Sequence, residues 1–138
     1  MTSQAPRAIG FHCPFDPRGK GRPRLGRGRT YTDAKTVAFE KAVGFQARAQ
    51  MRGAPLTGPL KITITCAFEM PRSWSKKKRA ALAGRPHTQK PDADNVLKAI
   101  ADALNGIVYA DDKQLAIMTV EKRWAERGGF GVIIEEAG

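Results

Sequence analysis

At 138 residues the chain has the size of one domain and can bury roughly two-thirds of its unfolded surface in a single core, so it needs neither disulfides nor a structural metal to fold. Its 24 Lys and Arg outnumber 13 Asp and Glu, a formal net charge of +11 that favours a polyanionic partner and steers it in from solution. Cys13 and Cys66 lie far apart, with no C-x-x-C and no His pair at zinc spacing, which excludes a disulfide framework and a zinc site and predicts buried thiols in a reducing cytosol.

Residues 1–7 are polar and expected to fray. They are not a charged segment followed by a long apolar one, and no apolar run nears the ~20 residues that span a bilayer, so a soluble cytoplasmic protein without a membrane partner is expected. Ala8 to Cys13 reads as a first strand ended by Pro14 and Pro17. Residues 18–29 then gather Arg18, Lys20, Arg22, Arg24, Arg27 and Arg29 among glycines and Pro23, a composition that buries no apolar area and predicts a flexible, solvated basic loop. Glycine lets the backbone approach a ligand and arginine offers phosphate a fork of donors, so Lys20, Arg22, Arg24, Arg27 and Arg29 are assigned to a clamp on a phosphate backbone.

Thr32 or Asp33 caps a predicted helix to about Arg52, stopped by Gly53 and Pro55. Val37, Ala38, Ala42, Phe45 and Ala49 recur along it at helical spacing and predict the face that packs on a sheet. Leu60 to Phe68 alternates, Ile62, Ile64, Cys66 and Phe68 on one side and Lys61, Thr63, Thr65 and Ala67 on the other, as a half-buried strand does. After Pro71, Ser73 or Ser75 caps a short basic helix over 76–83 closed by Gly84 and Pro86. Its Lys76, Lys77 and Lys78 either add a second phosphate contact or form its wet face.

A helix from about Asp92 to Leu104 buries Leu97, Ile100 and Leu104, widened by Val96, Ala99 and Ala103, and turns Asn95, Lys98 and Asp102 to the other side. Asn105-Gly106 ends it, and Ile107-Val108-Tyr109 leads to Asp111-Asp112. Leu115 to Trp124 alternates with Ala116, Met118, Val120 and Trp124 on one face, and Glu126 to Gly129 predicts a hairpin turn into a last strand carrying Phe130, Val132 and Ile134. The order β-α-β-α-α-β-β predicts a single α+β domain, helices packed on a mixed or antiparallel sheet.

The run Lys90-Pro91-Asp92-Ala93-Asp94-Asn95-Val96-Leu97-Lys98 carries the chemistry. Pro91 biases Lys90 towards extended backbone, so Asp92 sits where the chain enters the helix and Asp94 in its first turn. Alone, this reads equally well as an N-cap followed by an ordinary Asp94–Lys98 i,i+4 pair. The second acidic pair shifts the balance, because the helix returns the chain through a short turn that can bring Asp111 or Asp112 beside Asp92 and Asp94. Three converging carboxylates raise one another's pKa unless a cation binds between them, and Mg²⁺ or Mn²⁺ suits an all-oxygen donor set. Lys98 can then place its ammonium on a scissile phosphate oxygen, with Lys90 among the backbone contacts, and the reaction class is phosphodiester hydrolysis.

The stretch from Lys90 to Gln114 closely resembles the signature of the RusA family of Holliday junction resolvases, endodeoxyribonucleases common in phages and prophages. Lys20-Gly-Arg-Pro-Arg24, Thr30-Tyr31-Thr-Asp33 and Lys35 resemble the amino-terminal half of the same family. The resemblance implies a RusA-like fold over the whole chain, with Asp92, Asp94, Lys98 and Asp112 catalytic and Asp92, Asp94 and Asp112 as metal ligands. Asp111, Asp102 and Asn95 would support them, Asp102 as a partner of Lys98. It further implies Mg²⁺, with Mn²⁺ substituting, and a homodimer that resolves four-way DNA junctions by paired nicks, in recombination and repair within a bacterial or phage-infected cytoplasm. A dimer interface is expected at the Trp124 and Phe130 hairpin, or at the Leu60 to Phe68 strand if it forms a sheet edge.

Two other readings stand beside this one. Pro91-Asp92 begins a restriction-type nuclease motif, but no acidic-x-Lys triplet follows on a downstream strand and Lys98 lies on a helix. A non-catalytic basic nucleic-acid-binding protein accounts for the charge, yet leaves five aspartates between 92 and 112 in a molecule that should keep acid away from its ligand.

Overall fold

In the computed structural model, which describes residues 5–20, 24–26, 29–31 and 33–138 with the side chains of 21–32 left aside, the most strictly alternating segment takes the centre of the sheet. This strand, β4 (Leu60–Glu69), turns Leu60, Ile62, Ile64 and Cys66 into the core. It pairs antiparallel with β6 (Gly129–Glu136) and parallel with β5 (Leu115–Ala125), while β1 (Ala8–Cys13) lies antiparallel on the far side of β6. The order β1-β6-β4-β5 is a mixed four-stranded sheet. With α1 (Ala34–Gln50) and α3 (Ala93–Ala103) packed on one face and the short α2 (Lys76–Leu82) beside them in sequence, the chain is the expected single α+β domain.

The expected hairpin between the last two strands does not form. A parallel pair needs a long crossover connection, which the segment bearing α2 and α3 supplies between β4 and β5. β6 then returns on the opposite side of β4, so β5 and β6 flank the central strand rather than each other. Both surfaces expected to hold a dimer partner are therefore interior: β4 is paired along both sides, and Trp124 and Phe130 are 8% and 1% exposed. β5 lies at the sheet's outer edge, bridged at residues 122–124 by the segment 84–87, and a register shift opposite Leu60 turns Leu115 rather than Ala116 inward, leaving Ile117 and Met118 exposed.

α1 starts where Asp33 caps it, the carboxylate accepting from the backbone N–H and hydroxyl of Thr36, each at 2.9 Å. Its buried face differs from the expected one. Thr36, Phe39, Val43, Gly44 and Ala47 point inward, whereas Val37 and Phe45 are 38% and 71% exposed and Ala38 and Ala49 face solvent. Both sets have helical spacing, and the choice falls to tertiary packing. Phe39 meets Phe15 and Phe130 at ring-centroid distances of 5.9 and 5.7 Å, and Gly44 admits Ile107, whose Cδ1 would lie 3.1 Å from an added Cβ. Within the expected basic loop, β2 (Arg24–Gly26) and β3 (Arg29–Tyr31) pair as a short antiparallel ribbon.

Cys13 and Cys66 are buried free thiols, pushed up to about 12 and about 11 by burial. No helix among the described residues is long and apolar enough to cross a membrane. Truncating Phe39 to Ala should cost about 3–5 kcal/mol of unfolding free energy, while Phe45→Ala should stay within about 0.5 kcal/mol. Urea unfolding of the two variants checks this, and equal losses would mean that the helix presents a different face to the core.

Candidate active site

α3 anchors Val96, Ala99, Ile100 and Ala101 in the core and leaves its first turn open to solvent. Asp92 occupies the N-cap position with extended backbone, yet its side chain makes no capping hydrogen bond. Asp94, in the first turn, is exposed and has no ion-pair partner among the described residues. The Asp94–Lys98 pair of the bland reading is not made: the Lys98 ammonium sits 3.3 Å from Asp102 Oδ1, one turn further on, with 60% of its side chain exposed. Among the described residues two carboxylates are thus without an ion-pair partner at the positive end of a helix, where negative charge is tolerated.

The second acidic pair divides its labour. Tyr109 is fully buried and donates its hydroxyl to the carbonyl of Ala101 at 2.7 Å, tying the turn after α3 back onto the helix. Its phenol is pushed well up by burial, reinforced by the charges of Asp112, Asp102 and Asp111 around it. Asp111 caps the 3-10 turn Asp112–Gln114, accepting from the N–H of Lys113 at 2.9 Å while Gln114 accepts from the N–H groups of Ala110 and Asp111. The Lys113 bond leads the causes that hold the Asp111 carboxyl below its ordinary range. Asp112 is the freer of the two. Burial first, then Asp111 and Asp102 beside it, raise its pKa against the pull of Lys98.

Asp112 therefore meets Lys98, expected to be catalytic, and Asp102, expected to support it. Among the described residues no three of His, Cys, Asp and Glu gather closely enough to hold a metal ion, so Asp92, Asp94 and Asp112 do not form a ready cage.

Beside Asp92 the strap Pro17–Lys20 crosses the start of α3 and closes a groove of about 650 Å³ lined by Arg18, Gly19, Lys20, Lys90, Pro91, Asp92 and Asn95. The Lys20 N–H donates to the Asn95 carbonyl at 3.1 Å, and a Cβ on Gly19 would stand 3.1 Å from Pro91 Cβ and 3.3 Å from Asn95 Cβ, so only glycine fits without displacement. The Lys20 ammonium is not free: it lies 2.5 Å from Glu40 and 3.0 Å from Asp102 Oδ2. Burial works to raise the Asp102 carboxyl, and Lys20 and Lys98 together outweigh it and hold the group low.

Lys90 is exposed at the groove. Lys76 and Lys77 are exposed on α2, which Ser75 caps, and Lys78 lies over the Trp74 ring at 4.3 Å. The side chains of Arg22, Arg24, Arg27 and Arg29 fall outside the described residues. His87 is buried, stacked on Phe68 with ring centroids 3.9 Å apart.

Two residues that hold this arrangement were not singled out in the sequence. Glu40 follows Phe39 on α1 and reads there as one more solvated charge. Lys122, on β5, donates to the carbonyls of Gln89 and Pro91 at 2.7 and 2.6 Å and so fixes the loop that delivers Asp92. No local pattern announces a lysine whose partners lie about thirty residues away. Lys122→Met should cost about 1–3 kcal/mol in urea unfolding, because two carbonyls lose a charged donor. Stability unchanged from wild type would show that the loop is held by other means.

The chain matches the family Endodeoxyribonuclease RusA over residues 14–135. It is also 35% identical, over 137 residues, to the uncharacterized protein YqaN of Bacillus subtilis (strain 168), an alignment covering 93% of this chain and 96% of that one. With the match spanning both the strap and the whole acidic segment, the chain belongs to the RusA family of endodeoxyribonucleases, the Holliday junction resolvases.

Proposed function

We propose that this protein is a divalent-metal-dependent nuclease that resolves four-way DNA junctions by hydrolysing phosphodiester bonds in a pair of strands, acting in recombination and repair as a cytoplasmic homodimer. The observation that carries this is the pair of unspent carboxylates, Asp92 and Asp94, at the open end of α3 in a chain of this family. The donor set fits a hard cation, being all carboxylate oxygen. A preformed cage is not demanded, since Mg²⁺ is usually held by one or two carboxylates and completed by water and substrate phosphate. Asp92, Asp94 and Asp112 would hold the ion, with Mg²⁺ favoured and Mn²⁺ able to replace it. When bound it supplies Lewis acidity to the phosphate, to the attacking water and to the departing 3′ oxygen.

The protein's own groups do the rest. Lys98, largely exposed, donates to a phosphate oxygen as negative charge grows on it. Asp102 and Asp111 orient Lys98 and Asp112, and the strap groove beside Asp92 offers Arg18 and Lys90 to the flanking backbone. Arg22, Arg24, Arg27 and Arg29, which follow the strap in sequence, and Lys76 and Lys77 on α2 would supply further phosphate contacts. Two-fold pairing suits a junction of near two-fold symmetry, and the first half of β5, before the part bridged by segment 84–87 and with Ile117 and Met118 exposed, is where we place it.

The wild type should nick a mobile four-way junction in Mg²⁺ or Mn²⁺ and not in EDTA. Asp92→Asn, Asp94→Asn and Lys98→Ala should each cut at least about 100-fold more slowly while still binding the junction. Binding without cutting by the wild type in either metal would instead make it a plain polyanion binder. In Arg22→Ala/Arg24→Ala the slope of log affinity against log salt should fall by about 2, one phosphate contact for each side chain. An unchanged slope would remove those residues from the DNA interface.

Asp112 makes a separate, thermodynamic prediction. A carboxyl whose folded pKa is raised binds protons more readily folded than unfolded, so it subtracts stability at neutral pH and the loss fades as pH falls towards 4. Asp112→Asn should therefore melt no lower than the wild type at pH 7 in EDTA while losing cleavage. A clear drop in Tm would show that the charge is stabilising.

A further inference from the structure

We infer that Lys20 is a positioning residue, held by Glu40, that keeps the Asp102 carboxylate compensated so that Lys98 can leave it for a DNA phosphate. The inference rests on the nuclease reading above and assigns a role to two residues outside its catalytic set.

Two lysines share Asp102 from opposite oxygens, Lys98 on Oδ1 at 3.3 Å and Lys20 on Oδ2 at 3.0 Å. They are not equivalent. Lys98 has 60% of its side chain exposed and, among the described residues, one ion-pair partner, whereas Lys20 has 24% exposed, a second carboxylate in Glu40 at 2.5 Å, and a backbone N–H bonded to Asn95. Lys98 is thus the side chain that can move. Were it the sole cation on Asp102, moving to a phosphate would leave a half-buried carboxylate uncompensated beside Asp112, and that cost would hold Lys98 back. Lys20 removes the cost, and Glu40 keeps Lys20 from being drawn to the DNA in its turn. The chain Glu40–Lys20–Asp102–Lys98 joins α1, the strap and α3.

A double-mutant cycle on the full chain, with a four-way junction and Mg²⁺, separates this from a simple phosphate contact. Lys20→Met is expected to bind the junction within about twofold of wild type with an unchanged salt slope, and to cut about tenfold more slowly in single-turnover reactions. Glu40→Gln should lose several-fold in the same rate with binding intact, and the double variant should be no worse than Lys20→Met alone. A salt slope lowered by about 1 in Lys20→Met, with the rate of the bound complex unchanged, would make Lys20 a phosphate contact and overturn the inference. Losses that multiply in the double variant would overturn the link to Glu40.

Should Lys20→Met fail to fold, Glu40→Gln decides alone: a slower bound complex at unchanged affinity upholds the relay, and an unchanged rate defeats it. Should the wild type not cut at all, the nuclease reading fails separately. The salt slope of Lys20→Met then still tells a positioned lysine from a DNA-binding one.

Discussion

Burial of one face of α3 makes the open acidic turn at its start sustainable. Val96, Ile100 and Leu104 are fully excluded from solvent, and each such side chain contributes about 1.5–3 kcal/mol relative to an exposed one. That anchoring is independent of anything Asp92 or Asp94 does, so neither carboxylate is needed to hold the helix in place. Tyr109, with its hydroxyl on the Ala101 carbonyl, fixes the following turn to the same helix and carries Asp112 with it. The position of the acidic groups thus comes from hydrophobic seating and one buried hydrogen bond, and their charges are left for other work.

A protein of net charge +11 has little difficulty in keeping a few carboxylates ionised, but it must keep its own cations from quenching the ones it uses. The structure does this by allocation. Asp111 is occupied by backbone N–H groups, Asp102 by two lysines and Glu40 by one of them, while Asp92 and Asp94 have no cationic partner among the described residues. Lys122, which reaches the loop before α3 from β5, is bonded to carbonyl oxygens rather than to carboxylates. The same allocation separates Asp111, which caps the turn, from Asp112, which does not, so the two neighbours are not equivalent.

Much of this was legible in the sequence, for identifiable reasons. The central strand and α3 have strong apolar periodicity, and Asp33, Ser75 and Asp92 stand where helices begin, so those elements and the segment bearing the acidic groups could be read directly. The face of α1 could not, because Phe39 with Val43 and Val37 with Phe45 have compatible spacings and only the aromatic contacts of Phe39 choose between them. The turn between β5 and β6 has hairpin residues, but which strand lies beside which depends on the crossover from β4, a long-range fact. Lys20 looked like its arginine neighbours, since nothing local distinguishes a cation bound by Glu40 from one that waits for phosphate.

The placement of the acidic segment within the topology bears on how the chain matures. Asp92 to Asp112 lie on the connection between two parallel strands, and β5 must register against β4 before that connection is closed. Parallel pairing across so long a loop is among the slower steps of folding, since chain entropy is lost before the contacts that offset it appear. During synthesis a ribosome-bound fragment ending before residue 115 carries every acidic group of the segment without β5 and its Lys122, whose bonds to the Gln89 and Pro91 carbonyls hold the loop that delivers Asp92. The seating of Asp92 at the start of α3 is thereby tied to a part of the chain that is made after the whole acidic segment.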